Sequence, residues 1–570
     1  MRLSWCLAIV LALGTSSFAA ETARESLDRG LVARPTAEGR VYLGWRLLAT
    51  DPASVTFNVY RRTGDDKAVK LSAEPVAKTT DFVDTTAAQG IEHAWFVAPV
   101  VNGQEGSRCG EVRATPTAKD AKPYVSIPLN GKYTFQKVGI ADLDGDQKYD
   151  FVIKQPHDNI DPYEKYWKPS PDTYKLEAYA NDGRFLWRYD LGWAIERGIW
   201  YSPYVVYDLD GDGKAEVAVK TGEGDPRDKD GRVSSSQEHL TILNGQTGKP
   251  IAQTKWLPRE DFNSYNLASR NQIGVAYLDG KTPSLIVARG TYSLMMAVAY
   301  QFRDGKLQEQ WRWDNRDLPK QWKGQGAHWM HAADVDADGR EEVLLGSVVL
   351  DDNGKALWCT GLGHPDHFYV GDLDPDHPGL EIYYGIERRG DRNTMSLVDA
   401  KTGEILWGHK DPTIHIHHAG LCSDLDAKHP GAECYSGERD FKDKRWLRDS
   451  KGNVLSTKDL GGLAPRAVYW DADLQRELLV NSQIRDYEGS PQPVRIEGQM
   501  VAVADLLGDW REEIITSVPG ELRIYVTTLP AADRRACLMQ DPIYRADVIH
   551  AAMGYYQVPM TSYDLPTGRR

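Results

Sequence analysis

The stretch Val205-Val206-Tyr207-Asp208-Leu209-Asp210-Gly211-Asp212-Gly213-Lys214-Ala215-Glu216-Val217-Ala218-Val219-Lys220 packs an apolar strand, an acidic turn and a second apolar strand into one phrase. The phrase returns at Asp142-Leu143-Asp144-Gly145-Asp146, at Asp334-Val335-Asp336-Ala337-Asp338, at Asp372-Leu373-Asp374-Pro375-Asp376 and at Asp424-Leu425-Asp426-Ala427-Lys428. Weaker copies begin at Tyr277-Leu278-Asp279-Gly280, Trp470-Asp471-Ala472-Asp473 and Asp505-Leu506-Leu507-Gly508-Asp509, making eight, 35 to 69 residues apart. Further along the unit, Asn244-Gly245-Gln246-Thr247-Gly248 and Asp399-Ala400-Lys401-Thr402-Gly403 read as hairpin turns. Four short strands per unit, eight times over, predict an all-β chain built as an eight-bladed β-propeller over 124–570. No long segment with helical periodicity competes with that reading.

Upstream, Val41-Tyr42-Leu43-Gly44-Trp45, Val55-Thr56-Phe57-Asn58-Val59-Tyr60 and His93-Ala94-Trp95-Phe96-Val97 alternate apolar and polar residues between turn clusters such as Gly64-Asp65-Asp66 and Asn102-Gly103. Their length and spacing predict a small β-sandwich of the fibronectin type III kind over 25–118, followed by a Thr/Pro/Ala/Lys linker at 115–122. The first twenty residues read as a signal peptide: Arg2, an apolar run from Leu7 to Gly14, and the small-residue pattern Ser17-Phe18-Ala19. A secreted or periplasmic protein is expected, acting as a monomer. Across 570 residues the net charge is −14, with 41% hydrophobic and 26% charged residues. Such acidity argues against a nucleic-acid partner. No segment after the first is apolar enough to span a membrane. The 51 glycines, 28 tyrosines and 17 tryptophans suit turns and aromatic strands.

Crowding carboxylates into one turn creates repulsion that a hard, oxygen-seeking cation relieves, so Ca²⁺ is expected at several structural sites. The expected ligands are Asp142, Asp144, Asp146 and Asp150; Asp208, Asp210, Asp212 and Glu216; and Asp334, Asp336, Asp338 and Glu342. Two further sets, Asp372/Asp374/Glu381 and Asp424/Asp426/Glu433, carry their last acid one residue later. An Asp-rich hairpin whose side chains merely bond nearby amides is the plainer alternative. Histidines, meanwhile, gather just ahead of consecutive repeats: His328 and His331, His364 and His367, then His415, His417 and His418. Equivalent positions in a propeller converge on one rim of the central channel, so these residues predict either a catalytic cleft or a transition-metal site. Cys422 and Cys434 bracket one acidic turn. With His415 and His417 they form a candidate Zn²⁺ site, and by themselves a candidate disulfide.

Several longer phrases resemble the bacterial rhamnogalacturonan lyases of polysaccharide lyase family eleven. They are Pro283-Ser284-Leu285-Ile286-Val287-Ala288-Arg289-Gly290-Thr291-Tyr292, Thr360-Gly361-Leu362-Gly363-His364, and Ala504-Asp505-Leu506-Leu507-Gly508-Asp509-Trp510-Arg511-Glu512-Glu513. Val41 to Leu48 and Phe57 to Arg61 resemble the small β-domain that opens those enzymes. The resemblance implies a calcium-bearing eight-bladed propeller that cleaves the rhamnosyl–galacturonate backbone of pectin, an acidic polysaccharide. The family's catalytic lysine is missing, since that region reads Val494-Arg495-Ile496-Glu497, and His417-His418-Ala419-Gly420 stands where the family has an arginine. The chain is therefore similar to a divergent member, with the ulvan lyase propellers as the next resemblance.

Eliminating an O4 substituent from a uronate means removing the proton at C5, beside a carboxylate. That carboxylate must be neutralised, by an arginine or a cation, before a base can act and an acid can protonate the leaving oxygen. The expected roles are Arg289 on the carboxylate, His328 as base, and His364 or Tyr292 as acid, with Arg270, Asp366, His367 and Trp329 binding substrate. A hydrolase with two flanking carboxylates is the competing chemistry. A non-catalytic glycan-binding propeller, with Trp322, Trp329 and Tyr369 as stacking platforms, is the competing class.

Overall fold

In the computed structural model, residues 25–117, 121–566 and 568 are described, so the expected signal peptide lies outside the described residues. The chain is all-β apart from short helical turns and one nine-residue helix, Pro542–His550. Among the described residues no helix is long and apolar enough to cross a membrane.

The first unit is a β-sandwich. A three-stranded sheet (Val32–Pro35, Val41–Gly44, Asp81–Asp84) faces a five-stranded one built on Thr56–Thr63 and His93–Val101. Trp45, Phe57, Val59, Trp95 and Val97 fill the space between, drawn from the alternate positions that a period of two assigns to one face. The sandwich docks on the last sheet of the next unit, where Tyr42 donates to Asp509 at 3.0 Å and Arg511 donates to Tyr42 at 2.8 Å.

Eight four-stranded antiparallel sheets follow, spanning 137–190, 204–255, 271–314, 326–359, 365–408, 421–456, 466–495 and 499–525; they are called sheets one to eight below. Each is a simple meander consistent with a propeller blade. Burial falls across each sheet. In sheet two the first strand, Tyr204–Tyr207, is wholly buried, while the fourth, Pro250–Lys255, alternates exposed and half-buried residues. Sheet eight has only three strands of its own. Its fourth is Tyr124–Pro128, from the start of the unit, paired antiparallel to Glu521–Tyr525. The helix Pro542–His550 is buried from Ile543 onward and touches the first strands of sheets one, two, three, four and eight.

The acidic turns join the first and second strands of their sheets. The acid that opens the second strand folds back to accept the N–H after the first acid or its counterpart. Asp150 accepts from Leu143 at 3.0 Å, Glu216 from Leu209 at 3.0 Å, Glu342 from Val335 at 2.8 Å and Glu381 from Leu373 at 2.9 Å. Glu433, Glu477 and Glu513 do the same for Leu425, Trp470 and Leu506. In the turns that begin at Asp142, Asp208 and Asp334 the residue three places after the first Asp is left-handed. Gly145 and Gly211 supply it without strain, and Ala337 adopts it at φ 64°.

Candidate active site at the rim of the ring

The loops and strand starts that open sheets two to six bring a cluster of polar and aromatic side chains together. Arg270 precedes the first strand of sheet three, His328 lies on that of sheet four, and His364 and Asp366 stand at that of sheet five. His415, His417 and His418 precede the first strand of sheet six. Tyr292 follows the second strand of sheet three and Glu387 the second strand of sheet five.

His328 Nε2 lies 3.2 Å from the Tyr292 hydroxyl and 3.5 Å from Asp366 Oδ1. The rings of His328 and His364 are 4.7 Å apart, and Trp200 and Tyr555 close over His328 at 5.3 and 5.2 Å. His364 Nδ1 is bonded to the Gly326 carbonyl, which can only accept, so the hydrogen sits on Nδ1 and Nε2 carries the lone pair. That Nε2 is buried with no hydrogen-bond partner, 3.6 Å from Glu387 Oε2 and 4.0 Å from Asp366 Oδ1. Asp366 is 2% exposed; its Oδ2 is 2.6 Å from His417 Nδ1, and its Oδ1 has no hydrogen-bond partner.

Burial, reinforced by the Arg270 charge, drops His328 well below the usual histidine range. Burial likewise pushes the Tyr292 hydroxyl up and keeps it protonated. Burial would raise Asp366, but the His417 hydrogen bond and the surrounding imidazoles outweigh it and hold the carboxylate ionised.

Arg270 lies with its guanidinium 4.3 Å over the Trp200 ring and 5.6 Å from the Tyr292 ring, and Nη2 bonds Asp161 at 2.9 Å. Its Nη1 is buried without a hydrogen-bond partner. Arg289 is placed differently. It is fully buried and bonded to Glu238, which also pairs with Lys220 at 2.7 Å and with Arg259 at 3.7 Å. The expected carboxylate-binding arginine is thus paired in a separate buried cluster, and Arg270 is the arginine that the fold brings beside Tyr292 and Trp200.

Other expected contacts also fall inside the protein. His367 is fully buried between the His418 carbonyl at 2.6 Å and Ser436 Oγ at 2.9 Å. Trp329 is buried against Phe368, Tyr369 is buried with its hydroxyl on the Ala419 carbonyl, and Trp322 packs on the core. A pleated strand sends alternate side chains to opposite faces, and these residues lie on faces that other sheets cover.

The expected His/Cys zinc set is split. Cys422 and Cys434 are buried partners across the first two strands of sheet six, with free Sγ atoms 3.7 Å apart. His415 and His417 group instead with Glu387, the His415 Nε2 to Glu387 Oε1 distance being 3.1 Å. Glu387, Asp161, Trp200 and Tyr555 have no pattern that would single them out in the sequence. Glu387 and Trp200 stand close to strand ends of the repeat, a signal visible only after the strands are placed, while Asp161 lies in a loop of sheet one and Tyr555 follows the helix Pro542–His550.

Three acidic turns present three carboxylates within ligand reach of one another: Asp142/Asp144/Asp146, Asp208/Asp210/Glu216 and Asp334/Asp336/Glu342. Burial first, and neighbouring acids second, push Glu216 and Glu342 up to about 8 and Asp150 up to about 6. Asp144 Oδ1 and Glu342 Oε1 are buried with no hydrogen-bond partner, so the donors present fit an oxygen-seeking cation. The two later turns differ. Lys451 bonds Asp374 and lies 2.9 Å from Asp376, and His377 sits 2.8 Å from Glu381. In the other, Gln475 Nε2 meets Asp424 at 3.4 Å.

Residues 117–570 match the family described as "Rhamnogalacturonan lyase family 11, C-terminal domain", and residues 22–115 match "Rhamnogalacturonan I lyases beta-sheet domain". The chain is 37% identical to the rhamnogalacturonan endolyase YesW of Bacillus subtilis (strain 168), over 99% of this chain and 95% of that protein. It is 35% identical to the rhamnogalacturonan exolyase YesX of the same organism, over 96% of each. Among solved structures, that of YesW superposes with a TM-score of 0.86 at 36% identity, covering 96% of this chain and 97% of the other. The Bacillus licheniformis rhamnogalacturonan lyase superposes with a TM-score of 0.86 at 33% identity over the same shares. With both of its units matched and its length covered, the chain belongs to rhamnogalacturonan lyase family 11.

Proposed function

We propose that this protein is an exported lyase that splits the rhamnosyl-(1→4)-galacturonate linkages of rhamnogalacturonan I by β-elimination, on the rim of an eight-bladed propeller. The observation that carries the reading is His328 Nε2 held 3.2 Å from the Tyr292 hydroxyl, beside Arg270, whose Nη1 has no hydrogen-bond partner.

Arg270 binds the uronate carboxylate through Nη1, the donor that no protein group uses. Its stacking on Trp200 and its bond to Asp161 fix the guanidinium plane. His364 Nε2, Asp366 Oδ1 and Glu387 Oε2 converge as a lone pair and two carboxylate oxygens, a donor set that fits a divalent cation. When bound, such a cation neutralises the uronate carboxylate and makes the C5 proton more acidic.

His328 then takes the C5 proton. Its burial keeps it unprotonated and ready, and Tyr292 orients its nitrogen. Tyr292 is the nearest proton source for the departing O4, because His364 has its hydrogen committed to Gly326. Closure by Trp200 and Tyr555 limits water around His328 and strengthens these interactions. The Asp-rich turns hold structural calcium away from this chemistry.

Incubation with rhamnogalacturonan I and, separately, with ulvan tests the reading. A rise in ultraviolet absorbance from a new C4–C5 double bond is expected with rhamnogalacturonan I. New reducing ends without that absorbance would make the protein a hydrolase, and no cleavage of either glycan would make it a binding propeller.

A further inference from the structure

Arg270 stands on one side of the cluster, over Trp200 and beside Tyr292. A second arginine stands on the other. Tyr555 faces His328 at 5.2 Å and stacks on His418 at 5.3 Å, 15° from parallel. On the His418 side, Arg466 opens the first strand of sheet seven. Burial lowers the His418 imidazole, and the Arg466 charge lowers it further against the pull of Asp366. The Arg466 guanidinium lies 4.5 Å over the Tyr556 ring, and its Nη1 donates to the Tyr556 carbonyl at 3.2 Å.

From this arrangement we infer that Arg466 is a second carboxylate-binding residue, holding a uronate of the same glycan chain other than the one on Arg270. The inference rests on the reading above of the cluster and its substrate, and it adds a charged subsite on the side of sheet seven. In a backbone that alternates rhamnose with galacturonate, every second sugar carries a carboxylate. A cleft that binds one uronate is therefore offered another two sugars along. Three features support the assignment.

The first is the free edge of the guanidinium. Nε and Nη2 form one side of the fork, the geometry that meets a carboxylate through two parallel bonds. Nη1 alone is used, by the Tyr556 carbonyl, and Nε and Nη2 have no partner among the described residues. Arg466 is only half-buried, so that edge stays open to an incoming group.

The second is charge. Arg270 answers Asp161, Arg289 answers Glu238 and Arg476 answers Glu512. Arg466 makes no ion pair among the described residues, and burial pulls it below its ordinary range with no carboxylate to draw it back. Its neighbour Lys137 opens the first strand of sheet one and gives its Nζ to the carbonyls of Ala551 and Gly554. Lys154, opposite Lys137 across the strands, gives its own to the Ser202 carbonyl. Burial first, and the Arg466 charge second, pull Lys137 down to about 7. Three neighbouring cations without an acid, in a chain of net charge −14, leave a local positive field that favours an anion.

The third is a fixed approach. The Gly420 N–H donates to the Leu463 carbonyl at 2.9 Å and the Tyr435 hydroxyl to the Gly462 carbonyl at 2.9 Å. These bonds hold the segment that delivers Arg466, so little ordering is left to be done on binding.

The test is calorimetric titration of the full chain, slowed by His328→Ala, with a galacturonate–rhamnose disaccharide and with the tetrasaccharide that carries two uronates. The tetrasaccharide should bind at least ~10-fold more tightly, the scale of a charge-assisted bond. That advantage should vanish when Arg466→Gln is added, persist in part with Arg466→Lys, and shrink as salt is raised. Arg485→Gln, which removes an exposed arginine of the same sheet, should preserve it. With His328 intact, the effect of Arg466→Gln on the polymer should fall mainly on KM. Melting curves establish that the variants fold; should Arg466→Gln fail, Arg466→Lys and the salt series decide. An advantage that survives Arg466→Gln overturns the subsite, as does a loss confined to kcat, which would place Arg466 in the chemistry. A chain that cleaves no rhamnogalacturonan overturns the reading of the cluster, while the titrations still decide on Arg466.

Discussion

Arg289 is bonded to Glu238 in the interior, and Glu238 is the shared acid of a buried cluster that also holds Lys220 at 2.7 Å and Arg259 at 3.7 Å. Burial pulls Arg289 down to about 10 even with the acid beside it, and burial pulls Lys220 down to about 8. One carboxylate thus answers several cations, and its loss is felt by all of them.

Glu238→Gln should therefore be among the most destabilising single changes, on the order of 3–5 kcal/mol by analogy with broken buried pairs. Arg289→Met, which leaves Glu238 paired with Lys220, should cost less. Urea unfolding of the two variants orders them. An Arg289→Met enzyme that keeps its wild-type stability but loses turnover would return Arg289 to the reaction.

His328→Ala and Tyr292→Phe should each reduce turnover by at least ~10²-fold, the usual scale for a proton-transferring group. Their melting temperatures should stay within a few degrees of wild type. Full activity in Tyr292→Phe would leave His328 without its partner and reassign the proton donor.

Arg270→Lys keeps the charge but loses the planar fork that stacks on Trp200 and bonds Asp161. A fall in kcat/KM of roughly 10²-fold is expected, the scale of a lost charge-assisted hydrogen bond. A variant indistinguishable from wild type would show that the substrate carboxylate is held elsewhere.

Calcium and pH should be linked at the acidic turns. In metal-free protein Glu216 and Glu342 bind their protons up to about pH 8, well above their unfolded range, because burial and neighbouring acids raise them. The folded state then binds more protons than the unfolded one between ~4.5 and 8, so stability is greatest below that window and falls as pH rises through it. Calcium replaces those protons. Chelated protein should lose melting temperature from pH 5 to 8, by about 5 °C or more, and added Ca²⁺ should restore it most at pH 8. Melting curves that are identical with and without chelator at pH 8 would remove calcium from these turns.

The sheets were legible in the sequence because each acidic turn marks the junction of two strands, and the acid that opens the second strand is also the one that bonds back across the turn. The histidines ahead of the repeats were legible for the same reason: a repeat position converts into a place on the rim. Face and depth were not legible. His367 is a histidine like its neighbour His364, yet it bonds the His418 carbonyl and Ser436, and Trp329 turns to the opposite face of its strand from His328, against Phe368. Cys422 follows His-x-His closely in sequence, yet its strand register sets it opposite Cys434 and away from the histidines. Glu387 reaches the cluster by the pairing of the first two strands of sheet five, and Asp161 by its bond to Arg270, neither of which a local pattern records.

Sheet eight is completed by a strand made near the beginning of the unit. Tyr124–Pro128 pairs with Glu521–Tyr525, so an early segment must wait for one almost 400 residues later. At roughly 5–20 residues per second of synthesis, that wait is on the order of a minute, during which the segment carries open backbone donors and acceptors. The same holds for the first strand of sheet one, which meets the helix Pro542–His550 only when the chain is nearly complete. Truncations that spare every site residue but remove either end should therefore leave a ring that cannot close, one that pairs with other copies of itself rather than with its own missing strand.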